Sequence, residues 1–254
     1  MSWAARRRFF ILLIIGAFVT AFIAAVSITI FYKTPSCTDG TQNQDEEGID
    51  CGGSCPYLCT AQKQPPTVLF TKALTNSAGR TDIIASIENK NASAAAKNVP
   101  YRIMLYGANQ VLLQEVTGTL DLLPGAATSV YVPGVVSGKQ VVVGAFLSIA
   151  SSSPQWFLMA TDPRIVPRVS NTQQSGTLAM PRIDATLSNP SVTDLRAVSV
   201  IVIVRGVRGE VIAASKTIVQ TIPAQGEAIA TFTWNSAFVS APASIEVVPI
   251  IPLP

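Results

Sequence analysis

Histidine is absent from all 254 residues, and aromatic side chains make up only 7% of them. Without an imidazole the chain has no histidine-containing metal site and no Ser-His or Cys-His nucleophile pair, while acid-based and Ser-Lys chemistry stay open. Ser215 and Lys216 are neighbours, but adjacent side chains in a strand point to opposite faces and share no cavity. Phosphate-cradling glycine loops and nucleotide motifs are missing as well. Beyond the cysteine segment the acids are scattered and nominate no glycosidase pair. These absences point away from an enzyme and leave an external hydrolase as the third reading.

Charge is lacking from one long stretch. Residues 9–32 carry none, and Arg6-Arg7-Arg8 stand directly before them. A helix of that length would be about 36 Å long, enough for roughly 30 Å of hydrocarbon. The arginines place the amino terminus in the cytoplasm and everything after Lys33 outside. A secretory signal has an apolar core of about 7–15 residues. This one is longer, and its small residues Ala21, Ala24 and Ala25 lie within the run. A retained signal-anchor in the plasma membrane is therefore expected, ahead of a cleaved leader or a buried core helix. Four of the 18 basic residues and none of the 15 acidic ones fall in the first 33 positions. The positive balance belongs to the anchor and gives no support to nucleic-acid binding outside.

All four cysteines, Cys37, Cys51, Cys55 and Cys59, fall in one short polar segment. It cannot build a hydrophobic core, but two disulfides outside the cell would hold it, in any of three pairings. Structural zinc competes, although no repeated Cys-x-x-Cys occurs, and Cys55 and Cys59 are one residue too far apart for a thioredoxin-type pair. Asp39, Asn43, Asp45, Glu46 and Asp50, with Glu47 beside them, are hard oxygen donors, and Gly40 and Gly48 let the backbone curl. Such a supply suits Ca2+, though the spacing is not that of an EF-hand; the competing reading is a solvated acidic turn. Eleven positions, Cys37, Asp39, Gly40, Asn43, Glu46, Gly48, Asp50, Cys51, Gly52, Gly53 and Cys55, resemble a small module of secreted and surface proteins, Cys-x-Asp-Gly-x-x-Asn-Gly-x-Glu-x-Gly-x-Asp-Cys-Gly-Gly-x-Cys, with Gln44 in place of its glycine. The resemblance implies a disulfide-tied surface location and no particular activity.

From Val68 onward, short β-branched segments alternate with turn residues and no long helical stripe occurs. Alternation is partial over 81–89 and clearer over 101–106, and the apolar run 141–149 reads as a buried strand. The plan returns about one hundred residues later. Asn89 is echoed by Asn189, the 101–106 strand by 201–205, the Gly107 reversal by Gly206, and Leu122-Leu123-Pro124-Gly125 by Ile222-Pro223. That period is the size of a complete sandwich. On these residues the halves resemble the compact β-sandwich domains called FxLYD-like and, more loosely, immunoglobulin or fibronectin type III domains. The resemblance implies a fold and a surface location, and no catalyst.

The expected architecture is an all-β exterior of two tandem β-sandwiches behind the transmembrane helix. Its boundaries are a cytoplasmic terminus at 1–8, the anchor at 9–32, a disulfide-rich stalk at 33–66, and sandwiches at 67–161 and 162–254. Trp156 and Trp234 are candidate partner anchors or core residues. Arg205 and Arg208, with Glu210, are a candidate polar contact or a solvated loop. Asn91-Ala92-Ser93 is a glycosylation acceptor in a host with that machinery, and otherwise a turn. The expected function is extracytoplasmic structure or assembly through a protein partner or self-association. A receptor or adhesin for a surface glycan or protein ligand, with calcium-dependent binding as one form of it, is the alternative.

Overall fold

The computed structural model describes residues 3–31, 36–43, 45–75, 79–136, 140–150 and 154–254, apart from the side chains of Ala4, Ala5, Ile30 and Phe31. Lys33, which the sequence reading put just after the anchor, and Gln44, in the cysteine segment, lie outside the described residues. The chain divides into two compact units, Met1–Cys59 and Thr60–Pro254.

In the first unit, helix α1 spans Trp3–Phe31. Its segment Arg6–Thr29 is long and apolar enough to cross a membrane and is not buried by protein. The Thr20 hydroxyl donates to the Gly16 carbonyl at 2.9 Å and Thr29 to Val26 at 2.9 Å. The helix therefore presents few unsatisfied donors, as a lipid-facing segment requires. A single apolar helix of this kind is consistent with a signal-anchor or a transmembrane segment.

The second unit is mostly β, in four antiparallel sheets. Its strands are β1 (Thr67–Thr75), β2 (Thr81–Glu88), β3 (Ala94–Tyr106), β4 (Leu112–Leu122), β5 (Ala127–Val136), β6 (Gly144–Ile149), β7 (Trp156–Leu158), β8 (Arg168–Gly176), β9 (Pro181–Ser188), β10 (Leu195–Arg205), β11 (Val211–Ile222), β12 (Glu227–Thr233) and β13 (Ser244–Ile250). The sheet orders are β1-β2-β5, β4-β3-β6 with β7 also on β3, β12-β9-β8, and β11-β10-β13. Strands β8, β9 and β12 occupy the places of β1, β2 and β5, and β10, β11 and β13 those of β3, β4 and β6. The hundred-residue echo in sequence is thus an echo in topology.

The echoed asparagines explain why the halves fold alike. Asn89 is fully buried, and its Nδ2 donates to the carbonyls of Ala94 (2.7 Å) and Leu123 (2.8 Å) while its Oδ1 accepts from Asn91 N (2.9 Å). Asn189 repeats this with Thr193 O (2.8 Å), Pro223 O (3.0 Å) and Ser191 N (2.9 Å). Each amide ties the end of one strand to the proline turn some thirty-four residues later. That turn needs a left-handed residue. Gly125 takes it at φ 56° without cost, while Gln225 takes it at φ 52° against its Cβ.

Burial separates the halves again. Strand β9 alternates inward Ile183, Ala185 and Leu187 with more exposed neighbours, whereas its counterpart β2 is buried on both faces. Strand β10 is likewise buried on both faces between Val200 and Val204, while β3 buries Ile103 and Leu105 and leaves Arg102 exposed. In the second half, Ile183 and Leu187, the inward valines of β10, and Ala230 and Phe232 form one core cluster. A second cluster joins the halves: Ile84 of β2 packs with Ile201, Ile203, Val211 and Ala214, with Phe70, Leu74 and Tyr131 against it. Two polar ties reinforce it. Asp121 accepts from Asn98 N (2.8 Å) and Leu253 N (2.7 Å), and the Asp162-forked Arg164 donates to Ile251 O (2.8 Å).

The 141–149 run departs from its reading as a buried strand. Val141 and Val143 precede β6 and are 72% exposed, Phe146 is 59% exposed, and among these three and Leu147 only Leu147 is buried. Strand β6 lies at a sheet edge with one face toward the core, so apolar content there does not imply two-sided burial.

Beside the inter-half cluster, Tyr131 Oη donates to Asp82 Oδ2 (2.9 Å), and Asp82 also accepts from Gly134 N (2.7 Å). Burial, and then the Asp82 carboxylate, push the tyrosine pKa up. A phenol whose native value is raised contributes stability that is whole below the unfolded value of about 10 and is lost as pH rises above it. The urea midpoint is expected to fall between pH 9 and 11, and to fall less in Tyr131→Phe. Equal slopes in both proteins would disprove this.

Candidate functional site

The disulfides are Cys37–Cys55 and Cys51–Cys59, one of the three pairings that sequence allowed. They tie a segment whose acids accept hydrogen bonds from the segment itself. Asp50 accepts from Asp39 N (2.9 Å) and Gly40 N (3.0 Å), closing the loop from its far end. Asp39 accepts from Thr41 N (2.9 Å), Thr41 Oγ1 (2.7 Å) and Asn43 Nδ2 (2.8 Å). The Thr41 hydrogen bonds hold the Asp39 carboxyl below the usual carboxylate range. Asp45 accepts from Ser54 Oγ (2.7 Å), and the buried Glu46 accepts from Asn43 N (3.1 Å). In place of a hydrophobic core, charge-assisted bonds and two cross-links hold this fold.

The sequence-predicted donors Asp39, Asn43, Asp45, Glu46 and Asp50 thus share one small segment, and each of the four carboxylates already accepts a bond from it. Asn43 Oδ1 is buried without a hydrogen-bond partner. Cys37, Glu46 and Cys55 bring three metal-type donor atoms within 4.8 Å of one another. Both sulfurs there belong to one disulfide, so the trio offers no thiolate for zinc. For the same reason the 3.0 Å approach of Cys55 Sγ to Glu46 Oε1 is a sulfur–oxygen contact without a proton between them.

The aromatic and basic candidates separate. Trp156 is 3% exposed and pairs β7 with Ala96 of β3, so of its two readings the core is the one observed. Trp234 is half-buried, packs against the second-half core and meets Phe238 edge-on at 5.1 Å. Arg205 reaches both ways: its guanidinium donates to Gly209 O of the hairpin turn (3.3 Å) and lies 5.1 Å from the ring centroid of Phe70, across the junction between halves, and 3.7 Å from Glu246. Arg208 remains exposed, 3.9 Å from Glu210, a pair of little energetic weight. Asn91 is buried, with Nδ2 donating to Gln64 O (2.8 Å) and Oδ1 accepting from Gln64 N (2.8 Å). Its amide is structural in this fold, and a glycan on it would displace both bonds.

Two open clefts run along the junction. One, of about 540 Å³, is lined by Tyr101, Asp121, Tyr131, Arg164 and Lys216; the other, of about 680 Å³, by Arg80, Asp82, Arg182, Ser215 and Trp234. Lys216 lines the first and Ser215 the second, as opposite faces of one strand require. Sequence reading missed Asp82 and Asp121, although each is an acid inside an apolar strand segment, which was the available signal.

No protein-family model matches the chain, and no curated protein matches it. Among solved structures, red sea bream transglutaminase is similar over 74% of this chain and 31% of its own, at 11% identity and a TM-score of 0.24. A likeness that low carries no argument about fold or activity.

Proposed function

We propose that the chain is a membrane-anchored extracytoplasmic structural or assembly protein, single-pass in the plasma membrane with its amino terminus in the cytoplasm, and without enzymatic activity. Its β unit is two tandem β-sandwiches, β1-β2-β5 against β4-β3-β6 and β12-β9-β8 against β11-β10-β13, with the disulfide segment as a short stalk. The single observation that supports this most is the duplicated β unit, clamped half to half by Ile84, Ile201 and Ile203, in a chain that also carries an unburied apolar helix. A clamped pair of sandwiches transmits force and holds surfaces at fixed spacing, which suits a scaffold that engages protein partners or further copies of itself. The bilayer is its other partner; nucleic acid is not expected.

Proximity crosslinking in the native membrane tests this reading. The expected result is capture of neighbouring surface proteins or of the chain itself, with the β unit digested by externally added protease. A mature product free in the medium and starting near Val26, or protection of both halves on the inner side, would overturn it.

One observation favours a second reading, a calcium-dependent receptor or adhesin: the buried, unpartnered Asn43 Oδ1 amid four carboxylates. A carboxylate has about four acceptor sites, so each can take Ca2+ beside the hydrogen bonds it already accepts. Binding calls for a saturable heat when Ca2+ is titrated into the oxidised protein, with new amide protection across Cys37, Cys51, Cys55 and Cys59. A flat titration removes this reading and leaves the scaffold untouched.

A further inference from the structure

The duplication leaves two sheet faces without the cover that their counterparts have. Aligning the echoed asparagines and the Gly107 and Gly206 turns puts Arg102 at the place of Ile201, Met104 at that of Ile203, and Tyr106 at that of Arg205. Cross-strand pairing puts Glu115 opposite Met104, where Ala214 stands opposite Ile203. Ile201, Ile203 and Ala214 are covered by the first half through Ile84. Of their counterparts on the β4-β3-β6 sheet, Arg102 and Glu115 are exposed and Met104 is half-buried, and beside Met104 and Tyr106, Phe146 and Leu112 are 59% and 49% exposed. The Tyr106 and Phe146 rings meet edge-on at 5.8 Å. An uncovered aromatic, methionine and arginine face has the composition of an interface core.

The covering surface has a free counterpart too. Ile84 corresponds to Asp184 on β9, and its cross-strand partner Tyr131 to Thr231. Asp184 is held by Arg182 (2.7 Å) and Thr231 (2.6 Å), and these contacts keep its carboxyl ionised below the usual range. Arg102 is paired with Glu115 at 3.2 Å. Where Ile84 meets Ile201 inside the chain, the equivalent contact between chains would set Asp184 against Arg102, an apolar pair replaced by one of opposite charge.

We propose that a second copy of this chain docks head-to-tail, the outer face of β12-β9-β8 on one copy covering the outer face of β4-β3-β6 on the next, in the arrangement that already joins the two halves. Because the two faces differ, the contact is heterologous and does not close as a two-fold pair does, so it propagates from copy to copy into a row or a ring. Tethering to one membrane raises the local concentration that a contact of this size needs. The inference rests on the assembly reading and names its partner.

Cysteine crosslinking of the full chain in liposomes tests it, since among the described residues every native cysteine is in a disulfide. Copies carrying Arg102→Cys and copies carrying Asp184→Cys, tagged to differ in size, are expected to form mixed dimers under mild oxidation. Copies carrying both substitutions are expected to give a ladder. Arg102→Cys alone forming dimers as readily as the mixture would mean a face-to-face pair and overturn the head-to-tail contact, as would no crosslink at all. Folding is checked separately by charge reversal. Arg102→Asp or Asp184→Arg alone should lower association about tenfold, and mixing the two variants should restore it. No ladder, with other proteins still captured in the native membrane, would sink this inference and leave the scaffold reading standing.

Discussion

Asn89→Ala is expected to lower the unfolding free energy by about 3 kcal/mol, more than most surface changes in the protein. The truncation strands the Ala94 and Leu123 carbonyls and the Asn91 amide, each desolvated with its partner gone. A buried polar group left unsatisfied costs about 1–3 kcal/mol, so three groups with partial rescue by water give this magnitude. Asn189→Ala should act through the Thr193 and Pro223 carbonyls in the same way, by a comparable amount. Urea unfolding of the oxidised protein is the measurement. Asn89→Ser or Asn89→Asp would recover part of the loss if the acceptor side of the amide matters, because each retains an oxygen for Asn91 N. A loss below about 1 kcal/mol for both alanine variants, the low end of that range, would show that the asparagines do not hold the proline turns.

The second large effect lies at the junction. Ile84 has no exposed surface, and removing its branches is expected to cost about 3 kcal/mol, as isoleucine-to-alanine changes in closed cores do. Ile84→Asp should do something different in kind. A carboxylate set against Ile201, Ile203 and Ala214 is desolvated on that side and is drawn out toward water and the exposed Lys72 opposite it on β1, which separates the halves while the inward residues Ile83, Ala85 and Ile87 stay in place. Wild-type calorimetry is then expected to show one transition for the β unit and the Ile84→Asp variant two, with amide protection lost first along β2 and β10. A single transition in both would mean that the halves are coupled elsewhere, by the Asp121 and Arg164 ties to the end of the chain.

These two sites also measure how much could be read in advance. The asparagines and proline turns were legible as a repeated pattern of residue types; that each asparagine locks its turn was not, because the Leu123 and Pro223 carbonyls it bonds lie thirty-four residues away. The disulfide pairing was not, since three pairings are equally accessible to a short loop until the carboxylates of Asp39 and Asp50 bend it. The acidic residues were legible as oxygen donors but not as caps on their own loop, because their supply is written in the sequence and their aim is not. Trp156 could be anchor or core on composition alone; a strand pairing with Ala96 put it inside.

Taken alone, the residues determined the apolar leader, the confinement of every cysteine to one segment, the β character of the rest and its duplication. Each of these depends on composition or on short-range period. Only tertiary structure decided which repeated strand is buried twice. Partial alternation over 81–89 is what a strand with two covered faces looks like, and the clearer alternation over 101–106 is that of a strand with one. The difference comes from the other half of the chain lying on Ile84 and Ile201, a contact between residues more than a hundred positions apart that no local pattern encodes.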